Sequence, residues 1–188
     1  MLMRSDGAIF PSWKSGRPPS SNTFAALLRI AQIEAGVRRA HFARVDLSHL
    51  CSEVVEAYVA VAEDVGQTIA ARVEPGIAVS GDGNLLTQML VNLVENAIRH
   101  TPTGSSISLR LAMVAEGPRL TVTDTGPGIP ETEREKVFRR FYRLENSRTS
   151  SGSGLGLTLV AAVAELHAAT VALADNAPGL CVMVAFPK

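Results

Sequence analysis

The chain has 188 residues, 46% of them hydrophobic, with 18 Lys and Arg against 18 Asp and Glu. That length carries one domain with a real core plus an appendage. The balanced charge gives no overall field to draw in nucleic acid or an anionic membrane surface, so an anionic ligand has to be held locally. The two cysteines, Cys51 and Cys181, lie in apolar surroundings and read as free thiols of a reducing, cytoplasmic compartment, not as a disulfide framework.

Residues 1–21 are rich in Ser, Pro and Gly without periodicity and lack the apolar centre of a secretion signal, so they read as a disordered leader. No run approaches the roughly 18 apolar residues of a membrane span. From Asn22 the spacing of Phe24, Leu27, Leu28, Ala31 and Ala35, with a second row of Ile30, Ile33 and Val37, predicts a short helix that Gly36 and the basic "VRRAHFAR" end. Residues 22–41 are thus a helix and linker, and the main domain runs over 42–188. Asp46 suits an N-cap for a helix whose Leu47, Leu50, Val54, Val55, Tyr58 and Val65 share a face. "TIAARV" and "GIAVSG" read as short strands, and a long helix follows from about Asp82 to His100. "SISLRLAMV" and "RLTVTD" form a hairpin through "AEGP", and "TVALAD" and "LCVMVAF" form another through "NAPG". The order predicts an α+β fold: a two-layer α/β sandwich with a mixed, mostly antiparallel sheet covered on one face by helices.

Four stretches carry candidate chemistry. On the long helix, Leu85, Leu86, Met89, Leu90, Leu93, Val94 and Ala97 make the core face, while Gln88, Asn92, Asn96 and Arg99 form a polar stripe at its edge. Asparagine is a poor helix former, so two of them one turn apart suit a role such as ligating Mg²⁺ or orienting water, or simple bonding to nearby backbone. In "TVTDTGPGIP" a strand delivers Asp124 to its end, and Gly126 and Gly128 permit a tight turn. That carboxylate suits a ligand's exocyclic amine or its own turn backbone. In "SGSGLGLTLV" glycines 152, 154 and 156 precede an apolar helix, where free N–H groups and the positive end of the helix dipole suit a phosphate, or the glycines merely cap the helix. Neither the dinucleotide fingerprint nor a Gly-Lys-Ser/Thr loop is present. Between them, "ETEREKVFRRFYRLENSRTSS" reads as a charged helix with Phe138 and Phe141, then a Ser/Thr/Gly-rich loop, and its Arg139, Arg140, Arg143 and Arg148 suit a mobile lid that brings a guanidinium to phosphate.

The order of these stretches resembles the catalytic ATP-binding domain of sensor histidine kinases. "NLVENAIRHTP" resembles the N box, "DTGPGIP" the first glycine box, "VFRRFYR" the F box and "GSGLGLTLV" the second glycine box, while "FAALLRIAQIEAG" is similar to the end of the dimerisation and phosphotransfer hairpin. The resemblance implies a Bergerat ATP-binding fold with ATP and Mg²⁺ as cofactors. Asn96 would hold the metal, Asn92 would support the phosphate and metal site, and Asp124 would read the adenine amino group. Arg99 and Arg143 would reach phosphates, and His100 would lie beside adenine. Further contacts would come from Gly126, Gly128, Ile129, Phe138, Gly152, Ser153, Gly154, Leu155, Gly156 and Leu157. It implies as partners an acceptor hairpin bearing the phosphorylated histidine and a downstream response regulator, with the chain itself a monomer or weak dimer. No histidine stands in a recognisable H box: His41 lies in a basic linker, and His49 and His167 read as surface or packing residues. Two other readings stay open, a nucleotide-responsive binding module and an ATPase or serine kinase of the same superfamily. Glu95 is the available base for water, but it precedes Asn96 by one residue and so points about 100° away.

Overall fold

The computed structural model describes Ile30, residues 42–144 and residues 153–188. The leader, the helix expected over 22–36 apart from Ile30, and Arg148 and Gly152 of the expected site lie outside the described residues. Ile30 is fully buried within the main core.

Over residues 42–144 and 153–188, seven strands and three α-helices follow in chain order: β1 (Ala43–Asp46), α1 (Leu47–Asp64), β2 (Thr68–Val73), β3 (Ala78–Gly81), α2 (Gly83–His100), β4 (Ser106–Val114), β5 (Gly117–Asp124), α3 (Gly156–Leu166), β6 (Thr170–Asp175) and β7 (Leu180–Ala185). Five strands form one sheet in the order β2-β4-β5-β7-β6, parallel only between β2 and β4. Period-two alternation turns Ile107, Leu109, Leu111, Leu120, Val122, Val182 and Val184 toward the helices, while Ser108 and Arg110 of β4 stay exposed on the other face. The fold is the expected α+β sandwich with a mostly antiparallel mixed sheet.

The helices begin where their caps dictate. The Asp46 carboxylate accepts from the His49 amide at 2.9 Å and starts α1; Asp82 accepts from the Asn84 and Leu85 amides at 2.9 and 3.2 Å and starts α2. All seven residues expected on the core face of α2 are buried. Burying each side chain of that kind contributes about 1.5–3 kcal/mol relative to exposure, so this face holds the helix that carries the polar stripe.

Ala43–Asp46 forms a strand that the sequence did not signal, pairing antiparallel with Ala78–Gly81, Val45 opposite Val79, in a separate two-stranded sheet. One expectation is corrected. The charged stretch after Pro130 is not an α-helix but two 3₁₀ turns, Glu131–Glu133 and Lys136–Phe138. Side chains there bond locally instead of stacking along a helix face: the Tyr142 hydroxyl donates to Glu133, and Lys136 Nζ lies 2.9 Å from Glu133 Oε1. Phe141 follows in the left-handed region at φ 62°, which no α-helix accommodates.

Candidate functional site

The C-terminal half of α2, the loop after β5 and the start of α3 meet at one place. Gln67, just past α1, donates from Nε2 to the carbonyls of Ile98 and Thr101 at 3.0 and 2.7 Å, satisfying acceptors that the end of α2 leaves open. With the helix end so held, the Thr101 methyl closes against Gly126; a Cβ on that glycine would lie 2.6 Å from it.

Asp124 closes β5 and is 8% exposed. Its Oδ1 accepts from the Gly126 amide at 2.8 Å and the Leu180 amide at 3.3 Å, and its carbonyl accepts from Asn176 Nδ2 at 2.8 Å. The turn reading of Asp124 is therefore present in the molecule, but it uses only Oδ1. Gly128, at φ 71°, packs against the Gly179 carbonyl, where a Cβ would lie 2.9 Å away. The β6–β7 turn thus buttresses the glycine loop, a role of Asn176 and Gly179 that nothing in their local sequence signals. Arg134 adds a second brace, donating to the Ile129 carbonyl at 3.2 Å and pairing with Asp175 at the end of β6.

On α2, Asn92 donates from Nδ2 to the Gln88 carbonyl at 2.8 Å, so its amide oxygen faces away from its own helix backbone. Asn96 is half-buried and has no side-chain hydrogen bond among the described residues. Directly over it stands Gly156: a Cβ there would lie 3.0 Å from both Asn96 Oδ1 and Nδ2. Asn96 of the stripe and Gly156, the last of the three glycines, are thereby neighbours. Among the described residues, Leu155 caps α3 without a side-chain hydrogen bond, leaving the first-turn amides open to a ligand, and the buried Thr158 hydroxyl in that turn finds no partner.

Gly154 behaves differently from Gly156. It sits at φ 68°, and its Cβ would fall 2.9 Å from the backbone of Phe141 and Tyr142; its carbonyl accepts from the Phe141 amide at 3.1 Å. Its glycine is required by its own backbone and by the turn beneath it. That turn brings Arg143 in, and Arg143 together with Arg99 acts electrostatically on His100. His100 is held below the ordinary imidazole range by desolvation and by these two guanidiniums, with Asp124 opposing them. Arg99, Arg143 and Asp124 thus all act electrostatically on His100. Ile129 and Leu157 are half-buried, Leu155 is fully buried, Ser153 is exposed, and Phe138 stands apart, lining a cavity of about 350 Å³ against the outer side of α3. Among the described residues no group of three His, Cys, Asp or Glu side chains clusters as a metal site.

Glu95 is turned away from this surface: its Oε1 accepts from the Tyr58 hydroxyl of α1 at 2.8 Å, and Oε2 lies 4.0 Å from Arg99.

A family model described as histidine kinase-, DNA gyrase B-, and HSP90-like ATPase matches residues 81–188, more than half the chain and every element of this site. The chain belongs to that ATPase family. Among curated relatives, the sensor histidine kinase TmoS of Ectopseudomonas mendocina is 32% identical over 178 residues, covering 90% of this chain and 18% of TmoS. Among solved structures, the mycobacterial sensor histidine kinase MprB superposes with a TM-score of 0.65 at 30% identity, covering 78% of this chain and 97% of that one. ShkA, solved full-length in complex with AMPPNP, gives 0.77 at 27% identity over 88% of this chain and 35% of ShkA. The chain spans 18–39% of the length of these and similar curated relatives. No helix among the described residues is long and apolar enough to cross a membrane.

Proposed function

We infer that residues 42–188 are the catalytic ATP-binding domain of a sensor histidine kinase, which passes the γ-phosphoryl of ATP to a histidine nitrogen on an acceptor hairpin outside this domain, for onward transfer to a response regulator. The P–O bond to the leaving ADP breaks as the P–N bond forms, so the acceptor supplies the nucleophile and this domain supplies position and charge.

The observation that carries the reading is the meeting of Asn96 with Gly156 beside the Arg99, His100, Arg143 and Asp124 cluster. In this reading the Asp124 oxygen that neither loop amide engages accepts from the adenine amino group, with His100 alongside. The open amides of the first turn of α3 and the two arginines receive the phosphates. Mg²⁺ fits the donor set: it favours oxygen ligands, keeps several waters and takes the rest of its shell from phosphates, so a single unpartnered amide oxygen, Asn96 Oδ1 supported by Asn92, is enough protein for it. Bound there, the ion would offset triphosphate charge in place of the absent Gly-Lys-Ser/Thr lysine. Homology to a kinase solved with AMPPNP supports the choice of nucleotide. The hydrolytic alternative needs a base beside Asn96, and Glu95 is committed to Tyr58 on another helix.

The direct test is calorimetry of ATP with and without Mg²⁺, followed by labelled phosphoryl transfer from ATP to an added H-box hairpin. Magnesium-dependent binding and label on the hairpin are expected. Binding with no transfer to any intact hairpin would favour a nucleotide-responsive binding module instead.

A further inference from the structure

His167 follows the last residue of α3 and is 5% exposed. Its Nδ1 lies 2.7 Å from the Val163 carbonyl one turn back, and its Nε2 lies 3.0 Å from the amide nitrogen of Asp82. A carbonyl can only accept and an amide N–H can only donate, so the ring is neutral, protonated at Nδ1 and bare at Nε2. Phe42, entering β1, stacks on it with centroids 4.8 Å apart. Gly81, ending β3, leaves it room, since a Cβ there would lie 2.6 Å from Nε2. The donor is the residue that caps α2.

The two helices of the nucleotide site therefore meet near both ends, through a hydrogen bond at one and a close approach at the other. At one end the Asp82 amide meets His167; at the other Asn96 meets Gly156. Asn96 lies about 21 Å along α2 from Asp82, and Gly156 about 16 Å along α3 from His167, at 1.5 Å per residue. Apolar side chains such as Leu86, Leu90, Val160 and Val163 fill the cluster between. Apolar burial has no direction of its own, although the interdigitated core limits sliding; a hydrogen bond of fixed geometry adds a directional constraint on the axial register.

We propose that His167 is a positioning residue for nucleotide binding: by accepting from the Asp82 amide it holds α3 in the register that puts Gly156 over Asn96. The proposal rests on the nucleotide-site reading above. Protonation at Nε2 would delete the acceptor. Among the described residues burial holds the ring neutral against two influences that favour the proton, the hydrogen bond to the Val163 carbonyl and then the Asp82 carboxylate, while Phe42 and Gly81 bring no charge.

The test uses His167→Phe, which keeps the ring volume and removes both bonds, His167→Gln, whose amide oxygen can still accept from Asp82, and Gly81→Ala, which displaces the imidazole without altering it and also nudges the tip of Leu86, 2.9 Å from the new Cβ. ATP affinity with Mg²⁺ is measured by calorimetry where circular dichroism shows each variant folded, and the Asn96 side-chain amide resonance is followed in the nucleotide-free protein. His167→Phe and Gly81→Ala should bind ATP about three- to tenfold more weakly, as expected when a directional bond is lost and the competent register is only partly populated. Both should shift the Asn96 signal; His167→Gln should stay near the unmodified protein in both readouts. A lower melting temperature with unchanged affinity and an unmoved Asn96 signal would make His167 packing only and overturn the proposal. So would a Gln variant as weak as the Phe variant. If the unmodified chain binds no ATP, the nucleotide reading fails, and the Asn96 signal alone still decides on the register. Should His167→Phe not fold, Gly81→Ala against His167→Gln makes the same comparison.

Discussion

At the scale of single residues, the two polar groups assigned to adenine and to metal are bound into the fold to different degrees, and their variants should separate accordingly. Asp124 is buried and its Oδ1 holds the Gly126 and Leu180 amides. Asparagine there keeps one acceptor for those amides but turns the other position into a donor, which faces the adenine amino group unfavourably. Asp124→Asn should therefore weaken ATP by about tenfold, leave pyrophosphate nearly unchanged and hardly move the melting temperature. Asp124→Ala orphans both amides and should also cost about 1–3 kcal/mol of stability in urea unfolding. Equal losses for ATP and pyrophosphate in the Asn variant would reduce Asp124 to a turn residue. Asn96 has no such duties among the described residues. Asn96→Ala should fold normally and lose the magnesium-dependent part of ATP binding, and calorimetry showing that part intact would remove the metal assignment.

At the scale of elements, the legible parts were those whose periodicity meets the core. The seven buried residues of α2 and the edge stripe from Gln88 to Arg99 follow from 100° steps, and the alternation of β4 and β5 follows from the pleat. Strand β1 was hidden because four residues paired only with distant β3 carry no local signal beyond the Asp46 cap that ends them. The helix expected after Pro130 failed because charge and two phenylalanines do not make a helix when Glu133 bonds both Lys136 and Tyr142 and the chain turns left-handed at Phe141. The glycine run was legible as a run, but not the division of labour within it. Gly154→Ala forces a side chain onto φ 68° and into the Phe141–Tyr142 backbone, so it should lower stability by about 1–2 kcal/mol. Gly156→Ala gains helix propensity and meets only the tip of Asn96, so it should keep the melting temperature and weaken ATP. Measuring melting and ATP affinity on the two single variants gives opposite patterns if this division holds, and matching patterns if both glycines serve one role.

For the molecule as a whole, His100 and His167, among the described residues, should couple folding to pH, and the sign follows from their environments. His167 and His100 both have folded pKa values below the ordinary 6.5: burial holds both down, and the neighbouring guanidiniums of Arg99 and Arg143 add to it at His100. A base whose folded pKa is depressed takes up its proton more readily when unfolded, so its contribution is fully present above about pH 6.5 and is lost as the pH falls from there through the folded pKa. Urea midpoints should thus hold steady from pH 8 to 7 and decline toward pH 5.5, above the range where most carboxylates titrate. His167→Gln should flatten that decline by removing one of the two groups. Bound triphosphate acts on His100 in the opposite direction, since added negative charge beside Arg99 and Arg143 favours the imidazolium. Saturating ATP should therefore leave a shallower decline in His167→Gln than the same variant shows alone. A midpoint that does not fall between pH 7 and 5.5 in the unmodified chain would mean neither imidazole is held neutral, and the staple between α3 and the cap of α2 would have to rest on some other contact.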